Sequence, residues 1–248
     1  MTKPWADQPF ALLPSPTNTD GISKETVETA TLMCFAHNII FRTLNAIALQ
    51  YAQLTLPTDI SDFLIYCQCF HEMVHEHHHH EETDFFPAIE AYSGEKGIMD
   101  TNLEQHHAFE EGLKRFGEYV YSVKAEEWDR GGFKGLLDSF LPALTTHLRE
   151  EIQTLLDLDK YGGEKLRKSF DDMEKKILKG PLDAYRVLPV ALGSIDSTYD
   201  KNQQQPFPFF VPYLSQYWFS RRHRGAWRFS PCTVFGKPKQ LPFAVEEK

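Results

Sequence analysis

The chain has 248 residues, 42 % of them apolar and 25 % charged, and its 26 basic and 35 acidic residues give a formal charge of −9. This is globular composition, which excludes a disordered polyelectrolyte, a collagen-like repeat and a fibrous coiled coil. Four cysteines are too few for a disulfide scaffold, no run of about 18 apolar residues marks a membrane span, and the first twenty residues lack an export signal. The expected setting is therefore the reducing cytoplasm, with no transmembrane segment.

Residues 1–22 are rich in proline and polar side chains and read as a loosely held arm. Residues 24–54 then place Val27, Ala30, Cys34, His37, Phe41, Leu44 and Ala48 at steps of three and four, the period of a helix buried on one side. Pro57 and Thr58 end that helix and start the next. The second stretch, 59–91, carries Phe63, Cys67, Phe70, Val74, His77, Glu81 and Phe85 on its stripe; Pro87 kinks it and Ser93-Gly94 closes it. A third stretch, 101–123, follows Asp100 as N-cap and carries Leu103, His106, Glu110, Leu113, Phe116 and Val120. The fourth, 133–158, follows Gly131-Gly132 and carries Leu137, Phe140, Leu144, His147, Glu151 and Leu155, with Pro142 inside it. Residues 164–179 form a charged amphipathic outer helix. Residues 181–248 hold eight of the fifteen prolines together with the aromatic phrase FPFFVPYLSQYWFSRRHRGAWRF, which fits neither a long helix nor a central strand. This segment is expected to wrap the bundle.

Histidine is the anomaly. Ten of eleven fall between His37 and His147, and several interrupt lines that should be apolar. His77 and Glu81, His106 and Glu110, and His147 and Glu151 are each four apart, so each pair stands on one helix face about 5–6 Å apart at Cβ. With His37 they place seven ionisable groups in one core. Left unpaired, each would cost several kcal/mol. Two first-row metal ions would remove that cost, in the manner of dinuclear carboxylate sites inside four-helix bundles. The mixed nitrogen and oxygen donors disfavour cysteine-rich zinc and all-oxygen calcium sites.

His37, HHHHEETDFFP at 77–87, QHHAFEEG at 105–112 and HLREEIQTLL at 147–156 resemble the hemerythrin-like, HHE cation-binding family over about residues 30–160, and the aromatic tail resembles the extension of its fungal members. The resemblance implies an all-α, up-down-up-down four-helix bundle (23–160), an accessory helix (161–180) and an irregular wrapped C-terminal extension (181–248). It implies a non-haem centre of two iron ions, with manganese as the alternative metal, held by His37, His77, Glu81, His106, Glu110, His147 and Glu151. Glu81 would bridge. Where the family often has a second histidine, this chain has Glu110, a carboxylate that argues against reversible oxygen carriage and for oxidative chemistry. The implied activity is that of an oxidoreductase acting through O2 on a small organic molecule, with an electron donor; the rival is non-catalytic O2 or iron binding.

Successive helix residues are about 100° apart, so the four histidines 77–80 cannot share one face. A second frame, Leu64, His71, His78, Glu82 and Phe86, competes with His77/Glu81, and the longer stripe favours the latter. His79, His80 and His107 read as solvated. From Lys201 onward eight basic residues face two acidic ones, +6, leaving −15 on the rest. An acidic body speaks against nucleic-acid binding. The Arg221-Arg222-His223-Arg224 cluster is expected to pack on that body, with a phosphate or an anionic lipid as the other partner. A third reading of the chain keeps the bundle metal-free and puts its function in the tail.

Overall fold

The computed structural model describes residues 5–17, 19–181, 183–203 and 207–245. The first four residues of the arm, and Glu246, Glu247 and Lys248 of the tail's charge count, lie outside them. The fold is an all-α bundle, with no strand among the described residues. Its four long helices are α1 (Lys24–Gln50), α2 (Pro57–His80), α4 (Asp100–Ser122) and α5 (Arg130–Asp157), in up-down-up-down order. A π-turn (Glu81–Phe85) and the short α3 (Phe86–Ser93) bridge α2 to α4, and α6 (Gly163–Lys179) packs outside α1.

Local chemistry sets the boundaries. Ser23 caps α1, and Pro57 opens α2 two residues earlier than the periodicity predicts because its fixed φ suits a first helical position. Asp100 is the first residue of α4 rather than its cap; Met99 stands there without a side-chain bond. Asp129 caps α5 and accepts from the amides of Gly131 and Gly132 at 3.0 and 2.9 Å, which draws both glycines into the first turn. Pro87 lies in the first turn of α3, where its missing N–H costs nothing. The kink expected there is absorbed upstream, where the amide of Phe86 bonds the carbonyl of Glu81, five residues back.

Two apolar layers fill the bundle. One contains Phe41, Phe63, Phe70, Phe116, Phe133 and Phe140. The other contains Ala30, Met33, Phe85, Ile89, Met99 and Leu155, covered by Leu166, Phe170 and Met173 of α6. On the long helices the buried His37, His78, His106, His147 and Glu151 fall between these layers. Lys24–Gln53 is long and apolar enough to cross a membrane, and 72 % of its most apolar window is buried inside the bundle, the behaviour of a central core helix.

The arm is held more firmly than its composition implies. Asn45 and Asn38 on α1 bond the backbone of Ala6, Phe10 and Leu13, so buried amides on the helix and polar backbone on the arm satisfy one another. The C-terminal extension forms α7 (Val187–Leu192) and α8 (Val211–Tyr217) and sends Ala226, Phe229 and Leu241 into the first apolar layer. Phe229 is fully buried and meets Phe63 edge-on at 5.1 Å. Arg228 pairs with Asp59 and Asp62 at 2.8 and 2.9 Å, joining the basic tail to the acidic body.

Candidate metal centre

Between the two apolar layers, His37 from α1, His77 and His78 from α2, Glu81 from the π-turn, His106 from α4, and His147 and Glu151 from α5 converge. All are buried except the edge of His77, which is 13 % exposed. They form two groups whose donor atoms lie within 4.8 Å of one another: His37, His77, Glu81 and Glu151, and His78, Glu81, His106 and His147. Glu81 belongs to both.

The outward ring nitrogens are committed. His37 Nδ1 donates to the Leu148 carbonyl at 2.7 Å and His78 Nδ1 to the Val74 carbonyl at 2.8 Å. His106 Nδ1 donates to Glu82 at 2.7 Å. His147 Nδ1 donates to Gln105 Oε1 at 3.2 Å, with the other end of that amide donating to Glu150 at 2.6 Å. A carbonyl or carboxylate can only accept, so these bonds fix the tautomers and turn each Nε2 lone pair inward.

Two consequences follow. His37 Nε2 faces His77 Nε2 at 3.1 Å, and His106 Nε2 faces His147 Nε2 at 3.1 Å. With Nδ1 of both His106 and His147 already donating, their contact needs one positive species, a proton or a metal ion. Burial opposes the proton, holding His77 down to about 4 and pushing His78 and His147 well below the ordinary imidazole range. The inward oxygens of Glu81 and Glu151 and Nε2 of His78 also lack a hydrogen-bond partner. Burial, helped by the charge of Glu151, drives the Glu81 carboxyl well up. Burial also raises Glu151, but the imidazoles of His37, His147 and His77 outweigh it and hold that carboxyl down at about 2. Such a cage is costly without cations and satisfied with them. Its nitrogen and oxygen donors fit first-row transition ions.

Six of the seven residues read from the sequence meet here. Glu110 does not: it is exposed, at the mouth of a cavity of about 180 Å³ that reaches His78 and His106 from between α2 and α4. The inward line of α4 runs through Asn102, His106, Phe109, Leu113, Phe116 and Val120, so Phe109 takes the buried position next to Glu110. The seventh donor is His78, whose ring centroid lies 4.5 Å from that of His106 and 5.0 Å from that of His147. The two competing frames of α2 both operate. A cage for two ions is wide enough for neighbours 100° apart to enter different halves. Glu82, of the second frame, stands behind His106.

The hemerythrin HHE cation-binding domain matches residues 31–158, the span that carries every one of these donors. The chain belongs to that family. A relative, the dimeric xanthone biosynthesis cluster protein R11 of Cryptosporiopsis sp. (strain 8999), is 36 % identical over 254 residues, covering 100 % of this chain and 96 % of its own length. No solved structure matches the chain. The family resemblance read from the sequence thus holds, and metal binding, typically of iron, comes with it. The four cysteines are free and buried. Burial drives the thiols of Cys34, Cys69 and Cys232 up to about 12 and that of Cys67 well above its ordinary value, which keeps them packing groups rather than ligands.

Proposed function

We propose that this chain is a non-haem dinuclear iron protein that takes up O2, with His37, His77, Glu81 and Glu151 holding one ion and His78, Glu81, His106 and His147 the other. The observation that carries this is the 3.1 Å Nε2–Nε2 contact between His106 and His147, both of whose Nδ1 positions are committed elsewhere, beside the matching 3.1 Å contact of His37 with His77. Bound iron would supply the redox couple that reduces O2. The residues orient the imidazoles through backbone and carboxylate acceptors, offer one carboxylate common to both halves, and pack Phe86 and Phe109 against His106. The cavity beside His78 and His106, at about 180 Å³, suits a diatomic ligand and is smaller than the ~300 Å³ or more of an organic-substrate pocket.

Exchanging Glu110 for His78 makes the donor set five imidazoles and two carboxylates. That removes the carboxylate argument for oxidative chemistry and favours O2 binding as the primary activity. An oxidoreductase acting on a small organic molecule is the second reading. It is favoured by a full-length relative whose name places it in a biosynthesis cluster, and it requires an electron donor.

Anaerobic titration with Fe(II), followed by O2 and visible spectroscopy, tests both. Two ions per chain and a colour reversed by deoxygenation are the outcome for O2 binding. Steady O2 consumption that depends on reductant and an organic substrate is the outcome for the oxidoreductase. Less than about one ion per chain, with no change in melting temperature, would refute the centre. Titration with Mn(II) in place of Fe(II) tests the alternative metal.

A further inference from the structure

The C-terminal extension carries a surface that the metal centre does not use. Phe210, Tyr213, Leu214 and Tyr217 step by three and four along α8, and all four face outward at 46–65 % exposure, whereas Pro212 and Ser215 on the other side are buried. A surface helix ordinarily turns such a stripe inward; α8 is mounted with its apolar face reversed. Phe209, 84 % exposed, and Trp218, 61 % exposed, lengthen the ridge at its two ends. Aromatic anchors of protein–protein contacts sit in desolvated pockets. Rings that stand this far out can enter a deformable apolar phase, and Trp and Tyr are the residues of the membrane–water boundary.

Charge continues the pattern. Arg221, Arg222 and Arg224 follow the ridge directly. Arg228 pairs with Asp59 and Asp62, whereas these three have no carboxylate partner among the described residues. Among the described residues no member of the Arg221-Arg222-His223-Arg224 cluster forms an ion pair with the acidic body; Arg228, outside the cluster, makes that contact. Arg221 and Arg224 line a cavity of about 650 Å³ beside α8, with Gln216 of that helix, Lys239, and Ser230, whose buried hydroxyl lacks a partner. Two guanidinium groups, an ammonium and a hydroxyl suit a phosphate.

We propose that this face of the extension docks on an anionic membrane surface, with the ridge from Phe209 to Trp218 in the acyl boundary and a lipid phosphate held by Arg221 and Arg224. The −15 charge of the remaining chain turns the bundle away from that surface and fixes the orientation. Val211 of α8 belongs to an apolar cluster with Phe35, Ile39 and Met73, residues that flank His37 and precede His77 by one turn. The docked face therefore lies on the His37–His77 side of the bundle.

Co-sedimentation of the full chain with phosphatidylcholine vesicles, with and without phosphatidylglycerol, tests this. Wild type is expected to bind the mixed vesicles, to shift its tryptophan emission to the blue, and to be released by salt. At about 1 kcal/mol per basic side chain near the surface, R221Q/R224Q is expected to weaken partitioning about thirty-fold. Y217S/W218S is expected to abolish it while leaving helix content, melting temperature and Fe(II) uptake unchanged. Failure of wild type to bind, equal binding to both vesicle types, or full binding by both variants would overturn the proposal. So would a concentration-dependent dimer that Y217S/W218S dissolves while wild type ignores vesicles.

Discussion

Replacing Glu81 by glutamine separates the demands of folding from those of metal binding. Glu81 is the carboxylate common to both donor groups, is fully buried, and has neither oxygen hydrogen-bonded. Without metal, burial and Glu151 push its carboxyl well up, so glutamine replaces a group whose ionised form the core opposes. Glu81→Gln is then expected to leave the metal-free chain as stable as wild type or more so. With metal the sign reverses. A bound ligand stabilises by RT ln(1 + [L]/Kd), about 4 kcal/mol at a thousand-fold excess over Kd, or about 8–16 °C for a chain of this length. A hundred-fold loss of affinity leaves about 1.4 kcal/mol, or about 3–6 °C. Melting both proteins with chelator and with anaerobic Fe(II), alongside metal analysis, reads the difference directly. A variant that melts lower than wild type without metal, yet gains as much from Fe(II), would refute the reasoning.

His78→Phe is expected to lose at least one bound ion per chain, while Glu110→Gln retains both; metal analysis after desalting decides, and the opposite pattern would restore Glu110 as a ligand. The metal-free chain is expected to weaken in acid. His77, His78 and His147 are held below the free-imidazole value of 6.5, so the unfolded chain protonates first, and stability present above about pH 6.5 is lost as the pH falls through the folded values. His77 alone, held at about 4, accounts for about 3 kcal/mol. Glu81 acts oppositely, losing stability as the pH rises above 4.5, but it is one group against three. Urea titrations of chelated protein between pH 7 and 4 measure the sum, and a flat profile would contradict it. Phe229→Ala is expected to cost about 3–5 kcal/mol without changing metal stoichiometry; a cost below 1 kcal/mol would mean that the extension only rests on the bundle.

Much of the architecture was legible in the sequence because each long helix writes its buried face at steps of three and four, and because such a face tolerates His and Glu only where something neutralises them. Six of the residues that meet in the cage followed from that phase. His78 was missed because the phase argument treats a face as a single line and makes the two frames exclusive. A cage for two ions spans more of α2 than one line. Glu110 was misplaced by one position of drift along α4, where Phe109 packs inward beside it. The π-turn at Glu81–Phe85 leaves no composition signal apart from Pro87. The hold on the arm depends on Asn38 and Asn45, whose side-chain partners are more than twenty residues away in the chain, beyond the reach of any local pattern.

The way the extension is built in sets a limit on what can be trimmed. The family match spans residues 31–158, but Gln50 bonds the Phe229 carbonyl at 3.0 Å, Phe63 meets the Phe229 ring edge-on with Tyr66 tilted against it, and Trp5 donates to the Lys239 carbonyl at 2.9 Å. A fragment cut to the family's borders would keep every metal donor yet uncover a sticky aromatic flank. The unit that packs as one body is longer than the domain that gives the family its name.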